Sequence, residues 1–151
     1  MKVVIIQRFA AAFRKTLFEQ IGEHVDLSLV ISDEIPGIKS DTNLKNCTVY
    51  FSHYFDFLSG KVHLQRGVIG IIKSLKPETV VLTPTPRNLT NIVIIHYCLR
   101  RSVRVVGWGM GRMPNRHPIR QIFHDIIVGI LVRRLDHIIC YSSAAKAYYK
   151  K

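Results

Sequence analysis

The sequence predicts an α/β fold built on a parallel, doubly wound sheet, and three observations carry that prediction. Short apolar runs rich in β-branched residues recur along the chain, as at 3–6, 79–82 and 103–106, and suit strands buried on both faces. Segments of helical periodicity separate them, so strand and helix alternate. The third observation is VRVVGWGMG at 103–111, where a buried-strand pattern breaks into Gly107, Gly109 and Gly111 around Trp108, the only tryptophan. Open α/β sheets bind ligands at strand exits of this kind.

The elements follow in order. Residues 3–6 form the first strand, and Phe13, Leu17, Phe18 and Ile21 then recur at helical spacing, with Gly22 near the helix end. Residues 25–31 give the second strand, with Leu27, Leu29 and Ile31 alternating against Asp26, Ser28 and Val30. The polar stretch 32–46 contains Pro36-Gly37 and reads as a loop, and 48–51 as a third short strand. Val68, Ile69, Ile71, Ile72 and Leu75 fit one broad helical face, predicting a helix over 65–75 that Lys76-Pro77 stops. Residues 79–82 are the fourth strand, ended by Thr83-Pro84-Thr85-Pro86. The run 88–101 is too long for one strand between two others and reads as a buried helix, capped by Asn88 and closed by Arg100 and Arg101. A fifth strand at 103–108, a basic loop at 112–117, a helix over 118–135 opened by Pro118 and a sixth strand at 136–141 follow. Ser142-Ser143 caps a last helix still running at Lys151, so the final unit lacks its strand and the chain reads as part of something longer.

Length and composition bound the function. A chain of 151 residues, 48% hydrophobic and 21% charged, can bury a core and is globular rather than disordered. The net charge of +12 is uneven: residues 100–151 hold 11 Lys/Arg against 2 Asp/Glu. A basic C-terminal third points to an anionic partner, namely nucleic acid, a phosphate-bearing substrate or acidic lipid headgroups, or else to a solvated basic surface. Cys47, Cys98 and Cys140 are odd in number, far apart and without a CxxC pair, which fits reduced buried thiols in a cytosolic protein. The apolar run at 3–6 ends at Gln7 and Arg8, too short for a signal peptide, and no run approaches the roughly 18 residues that span a bilayer. A cytoplasmic protein is expected, soluble or peripheral on the inner face of a membrane.

Several chemistries are excluded by their motifs. Gln7-Arg8-Phe9-Ala10-Ala11-Ala12 after the first strand lacks the glycine fingerprint of a dinucleotide site, and no GxxxxGK[ST] P-loop occurs. No HExxH or comparable spacing predicts a metal site, and no GxSxG elbow predicts a serine hydrolase. A nucleic-acid binder would need aromatics interleaved with the basic residues on a strand pair, so no nucleic-acid partner is expected. The arginines instead fall near proposed strand ends: Arg8 and Arg14 after the first, Arg87 after the fourth, Arg112 and Arg116 after the fifth. Strand C-termini of a parallel sheet share one edge, so these guanidinium groups could converge on a diphosphate or other anion. Five unrelated surface arginines would give the same sequence, and the glycines at 107–111 equally suit a tight turn.

MKVVIIQRF with AAFRKTLFEQI, then KPETVVLTPTPRNLTNIVII, VRVVGWGMGR and RRLDHIICYSSAAKAYYKK resemble, in order, the opening strand and helix, the fourth strand and helix, the Trp-Gly-x-Gly strand exit and the closing strand and helix of one known domain. This is the N-terminal, acceptor-side domain of a family-four glycosyltransferase of the GT-B architecture. The resemblance covers nearly the whole chain and implies a single Rossmann-like domain over 1–151, incomplete at its C-terminus. It implies transfer of a sugar, with retention, from a nucleotide sugar to a glycan or lipid-linked acceptor in cell-envelope polysaccharide synthesis. It places Arg8, Arg14, Arg87, Trp108, Gly109, Met110, Gly111, Arg112 and Arg116 along the acceptor side of an interdomain cleft and leaves the catalytic residue unassigned.

The departures matter too. Met110 stands where relatives often carry a polar residue, commonly histidine, and the double-glycine loop many place after the first strand is absent. The family's donor-binding glutamate pair, with seven residues between its members, has no counterpart here. The resemblance therefore implies no cofactor held by this domain, a nucleotide-sugar donor held by a missing second domain, and the donor half as a separate chain or lost. The expected partners are the sugar or lipid-linked acceptor, an anionic membrane surface and that separate half. The alternative is a non-catalytic basic module that binds anionic lipid or glycan, or a truncated remnant without activity.

Overall fold

A computed structural model of the chain describes residues 1–32, 41–57, 62–109, 111 and 118–150. The first half runs β1 (Lys2–Ile6), α1 (Lys15–His24), β2 (Asp26–Ile31), β3 (Cys47–Phe51), β4 (His53–Phe57), β5 (Val62–Arg66) and α2 (Val68–Leu75). The second runs β6 (Thr79–Leu82), α3 (Thr90–Leu99), β7 (Arg104–Gly109), α4 (Pro118–Val132), β8 (His137–Cys140) and α5 (Ser143–Tyr149). Six strands form one sheet in the order β3-β2-β1-β6-β7-β8, and every pairing in it is parallel. Counted by these strands alone, the order is 3-2-1-4-5-6, that of the doubly wound Rossmann-like sheet.

Each face of the sheet takes its helices according to the right-handed crossover rule. Leftward winding from β1 to β2 puts α1 on one face, where Phe18 packs with Val3, Ile5, Leu27, Leu29, Val81 and Trp108. Rightward winding from β6 to β8 puts the later helices on the other, where Val68 and Ile72 of α2, Ile94 and Cys98 of α3 and Leu131 of α4 cover Val4, Val80 and Val105. Strands buried on both faces explain the unbroken apolar runs, since neither set of alternate residues meets water. The winding reverses between β1 and β6, which pair in register so that Ile6 lies opposite Leu82. The crevice beyond those two strand ends is where this topology binds ligands.

The structure corrects the sequence reading at one element and trims it at others. The helix predicted over 65–75 begins only at Val68, because Gly67 holds a left-handed φ of 92° that no continuing helix passes through. Val62–Arg66 is instead a strand, paired antiparallel with His53–Phe57 in a hairpin apart from the main sheet. α1 is entered through a short 3-10 turn at Ala12–Arg14 rather than from Phe13 directly. The helix predicted to reach 135 ends at Val132, the fifth strand is shifted by one to Arg104–Gly109, and the sixth shortens to His137–Cys140. Ser142 caps α5 as its sequence predicts, its side chain accepting from Ala145 N at 3.1 Å.

Candidate functional site at the carboxyl edge

The strand ends bring four separate sequence segments to one edge. Gln7 leaves β1 and donates its amide to Val30 O at 2.9 Å, which keeps the chain in line with β2 for one more residue. The 3-10 turn then places Arg14 at the foot of α1, back over the edge. Its guanidinium donates to Gln7 Oε1 at 3.0 Å. Its Cζ lies 5.4 Å from the Trp108 ring centroid, 5.8 Å from that of Tyr141 and 5.3 Å from that of Phe13. Trp108 is buried at the end of β7 and Tyr141 is exposed just after β8; their rings stack at 5.9 Å with 22° between planes. Phe18 meets Trp108 edge-on at 6.3 Å from the core side. The arginine thus sits among three aromatic rings, and among the described residues no carboxylate pairs with it. Cation–π contact holds the charge in place without neutralising it.

A second cluster lies on the other side of Gln7 and comes from the hairpin. Tyr54 and Asp56 of β4 face the same way as His63 and Gln65 of β5, their cross-strand partners. Arg8 lies over the Tyr54 ring, 4.3 Å from its centroid, and 3.7 Å from Asp56 Oδ2, while His63 Nδ1 contacts Asp56 Oδ1. The Arg8 Nε is buried with no hydrogen-bond partner, so this guanidinium has donor capacity left over. Gln65 is 4% exposed and binds the hairpin to the sheet edge: its amide nitrogen donates to Ser32 Oγ at 2.9 Å and Gln7 O at 3.3 Å, and its oxygen accepts from Asn88 at 2.9 Å. Ser32 in turn shares a 2.7 Å bond with Ser52. His63 adds two backbone bonds to the loop after β6, through Arg87 O and Leu89 N.

Of the residues singled out in the sequence, Arg14 and Trp108 are in contact, and Arg8 lies in the second cluster across Gln7 on the same carboxyl edge. Arg87 is exposed beside the hairpin on the same edge. Gly109 and Gly111 serve a different purpose, because α5 fills the space above them. A Cβ at Gly109 would lie 2.7 Å from Tyr149 Cζ, and one at Gly111 would lie 2.7 Å from Ala145 Cα. Gly111, at φ 84°, donates its amide to the Tyr149 hydroxyl at 3.3 Å. These glycines are the close approach of a helix to a strand exit. Met110, Arg112 and Arg116 lie outside the described residues. The sequence reading missed Tyr141, Asp56, His63 and Gln65. Tyr141 could have been found, since it leaves a strand at the same edge as Trp108; the hairpin residues carry no apolar run to mark them.

Among the described residues no group of three His, Cys, Asp or Glu side chains could hold a metal ion. Burial pushes the thiols of Cys47 and Cys98 up to about 11 and raises the Tyr149 phenol, and a 2.9 Å bond to Asp41 raises Lys15. The fold and this edge together define a Rossmann-like α/β domain with arginine and aromatic side chains clustered along the carboxyl edge of its sheet. No protein-family model matches the chain, and no curated protein matches it in sequence.

Proposed function

We propose that this edge is the acceptor-side wall of a glycosyl-transfer site, and that the chain is the N-terminal domain of a GT-B type glycosyltransferase. The observation that carries the reading is Arg14, a guanidinium lacking a carboxylate partner among the described residues, held against Trp108 and Tyr141 beside the point where the strand order reverses. The exposed rings of Tyr141 and Phe13 offer a face on which the C–H side of a pyranose stacks, with buried Trp108 backing Tyr141, and a guanidinium offers paired donors to phosphate oxygens. A glycan carrying phosphate, or a saccharide linked to lipid through diphosphate, presents both groups. Arg8, with its spare Nε donor, adds a second cation across Gln7.

In the reaction, the acceptor hydroxyl oxygen bonds to the anomeric carbon as the bond from that carbon to the nucleotide diphosphate breaks. The hydroxyl proton leaves with the departing phosphate. Residues of this chain would orient the acceptor and hold its charge, while the donor nucleotide is held by a second domain outside these residues. The protein would work at the cytoplasmic face of a membrane as a peripheral enzyme. No described helix is long and apolar enough to cross one.

The test is a complementation. Detergent-solubilised membranes from cells lacking the gene are supplied with radiolabelled nucleotide sugars. Wild-type protein supplied with the donor-binding half, in cis or in trans, restores label in glycolipid or polysaccharide, and Arg14→Ala supplied in the same way restores at least about tenfold less, the scale of one lost charge-assisted bond. Restoration by neither protein, with both folded and present, overturns the reading; binding of the acceptor alone would then mark a non-catalytic module.

A further inference from the structure

In the helix layer that covers Val4, Val80 and Val105, α4 turns a broad apolar stripe away from the sheet. On α4, Gln121 is buried with Val128 and Leu131 toward the sheet, and Asp125 accepts from Gln121 and from the Tyr148 hydroxyl of α5. Ile122, Phe123, Ile126, Ile127 and Ile130 are exposed instead, Phe123 by 65%. At about 3.6 residues per turn those five form one stripe along the helix. The adjoining α3 exposes Ile92, Val93 and Leu99, and a groove of about 210 Å³ between the two helices is lined by Ile92, Leu99 and Ile130 together with His96 and Arg134. A surface layer of a water-soluble domain does not display a continuous apolar face of this extent without something to cover it.

The charges around the face say what covers it. Lys73 and Lys76, Arg100 and Arg101, and Arg133 and Arg134 stand exposed at the C-terminal ends of α2, α3 and α4. Lys73 and Arg101 flank the Tyr97 ring at 6.0 and 5.8 Å over a basic groove of about 540 Å³. α2 and α3 contain no Asp or Glu, and Asp125 is the one carboxylate on α4. Glu78 and Asp136, at the same edge, are engaged by the Lys2 and Val105 amides. The same face of a second copy, packed about a two-fold axis, would bring the same cations, and among the described residues its carboxylates, Glu78, Asp125 and Asp136, are already engaged. An apolar stripe with a basic rim is the pattern of a surface that lies in the interface of an anionic bilayer.

We infer that the outer face of α3 and α4 lies on an anionic lipid bilayer, with Ile122, Phe123, Ile126 and Ile130 entering the acyl boundary and the rim cations from α2, α3 and α4 meeting headgroup phosphates. The inference rests on the peripheral placement proposed above and is independent of sugar transfer. It assigns the membrane contact to a helix face rather than to the carboxyl edge.

The experiment is flotation of the purified chain with vesicles of phosphatidylcholine alone or with phosphatidylglycerol added. Wild type floats with the anionic vesicles, and binding weakens steeply as salt rises. Arg133→Gln/Arg134→Gln loses roughly 25-fold in partitioning, about fivefold per arginine. Ile126→Gln/Ile130→Gln loses binding even at low salt. Arg14→Ala, at the other site, floats as wild type does. The arginine pair keeps every apolar contact, so its loss with an unchanged melting temperature carries the test if the isoleucine pair fails to fold. Equal flotation with neutral vesicles overturns the anionic assignment. Wild-type flotation that neither pair disturbs overturns the choice of face but leaves a peripheral protein. No flotation, with concentration-dependent dimerisation that Ile126→Gln/Ile130→Gln abolishes, makes the occupant a second copy and overturns the inference together with the peripheral placement.

Discussion

Gln65 is the side chain on which the site's second cluster depends, and replacing it with leucine isolates that dependence. Leucine keeps most of the volume at a position 4% exposed and removes all three side-chain hydrogen bonds, to Ser32 Oγ, Gln7 O and Asn88. Ser32 keeps its bond to Ser52, and Gln7 O loses a long one at 3.3 Å. The Asn88 amide loses the acceptor it has in Gln65, which costs about 1–3 kcal/mol, and the two weakened acceptors add about 0.5–1.5 kcal/mol between them. The expected loss is about 2–4 kcal/mol. With a urea slope of about 2 kcal/mol per molar, the middle of the usual range, the unfolding midpoint falls by about 1–2 M in equilibrium denaturation followed by circular dichroism. Gln65→Leu combined with Asn88→Leu recovers part of the loss, because no stranded donor then remains. A Gln65→Leu midpoint within 0.2 M of wild type, on the order of the method's error, refutes the claim that this network holds the hairpin to the sheet edge.

Further expectations concern packing, ionisation and the arginine. Gly109→Ala drives a Cβ to 2.7 Å from Tyr149 Cζ and costs about 1–3 kcal/mol in thermal or urea unfolding; adding Tyr149→Phe, which removes the hydroxyl at that contact, recovers some of it. Cys98 titrates near 9.0 when unfolded and about 11 when folded, so its contribution to stability is complete below pH 9 and is lost as pH rises through 11. Urea midpoints measured across that window fall for wild type, and fall less steeply for Cys98→Val. At pH 8 only about one Cys98 in a thousand is thiolate, so iodoacetamide leaves it unmodified in the native protein and alkylates it after unfolding. Arg14→Ala removes the cation from above the Trp108 ring, which shifts the tryptophan emission while far-ultraviolet circular dichroism stays unchanged.

The sheet was legible because burial on both faces writes itself into consecutive residues. Val3–Ile6, Leu29–Ile31 and Val80–Leu82 are almost wholly buried, and each stands out as an apolar run. The hairpin was not legible for the opposite reason. His53–Phe57 and Val62–Arg66 form a two-stranded ribbon across a sheet edge, where one side carries Tyr54, Asp56, His63 and Gln65 and the other Phe55 and Leu64. Its polar inward side breaks the expected apolar-in pattern, and the strong α2 periodicity beyond Gly67 absorbs Gln65 into a predicted helix. At the site, the placing of Arg8, Arg14 and Trp108 near one edge follows from parallel strand order. The meaning of Gly109 and Gly111 does not, because only the packing of α5 distinguishes a glycine that admits a tyrosine from one that admits a ligand. The exposed face of α4 shows the same ambiguity: its periodicity predicts an amphipathic helix and cannot say which side meets the sheet.

Trp108 is the only tryptophan and touches Arg14 and Tyr141, so its emission reads out the proposed acceptor wall directly. The decisive measurement is a titration of that emission with a soluble short-chain prenyl diphosphate saccharide, beside a neutral oligosaccharide of the same sugars. A saturable change with the diphosphate is expected, weaker by at least about tenfold in Arg14→Ala and weaker for the neutral sugar. Emission that ignores the diphosphate saccharide, or a response that Arg14→Ala leaves intact, would contradict the assignment of this edge.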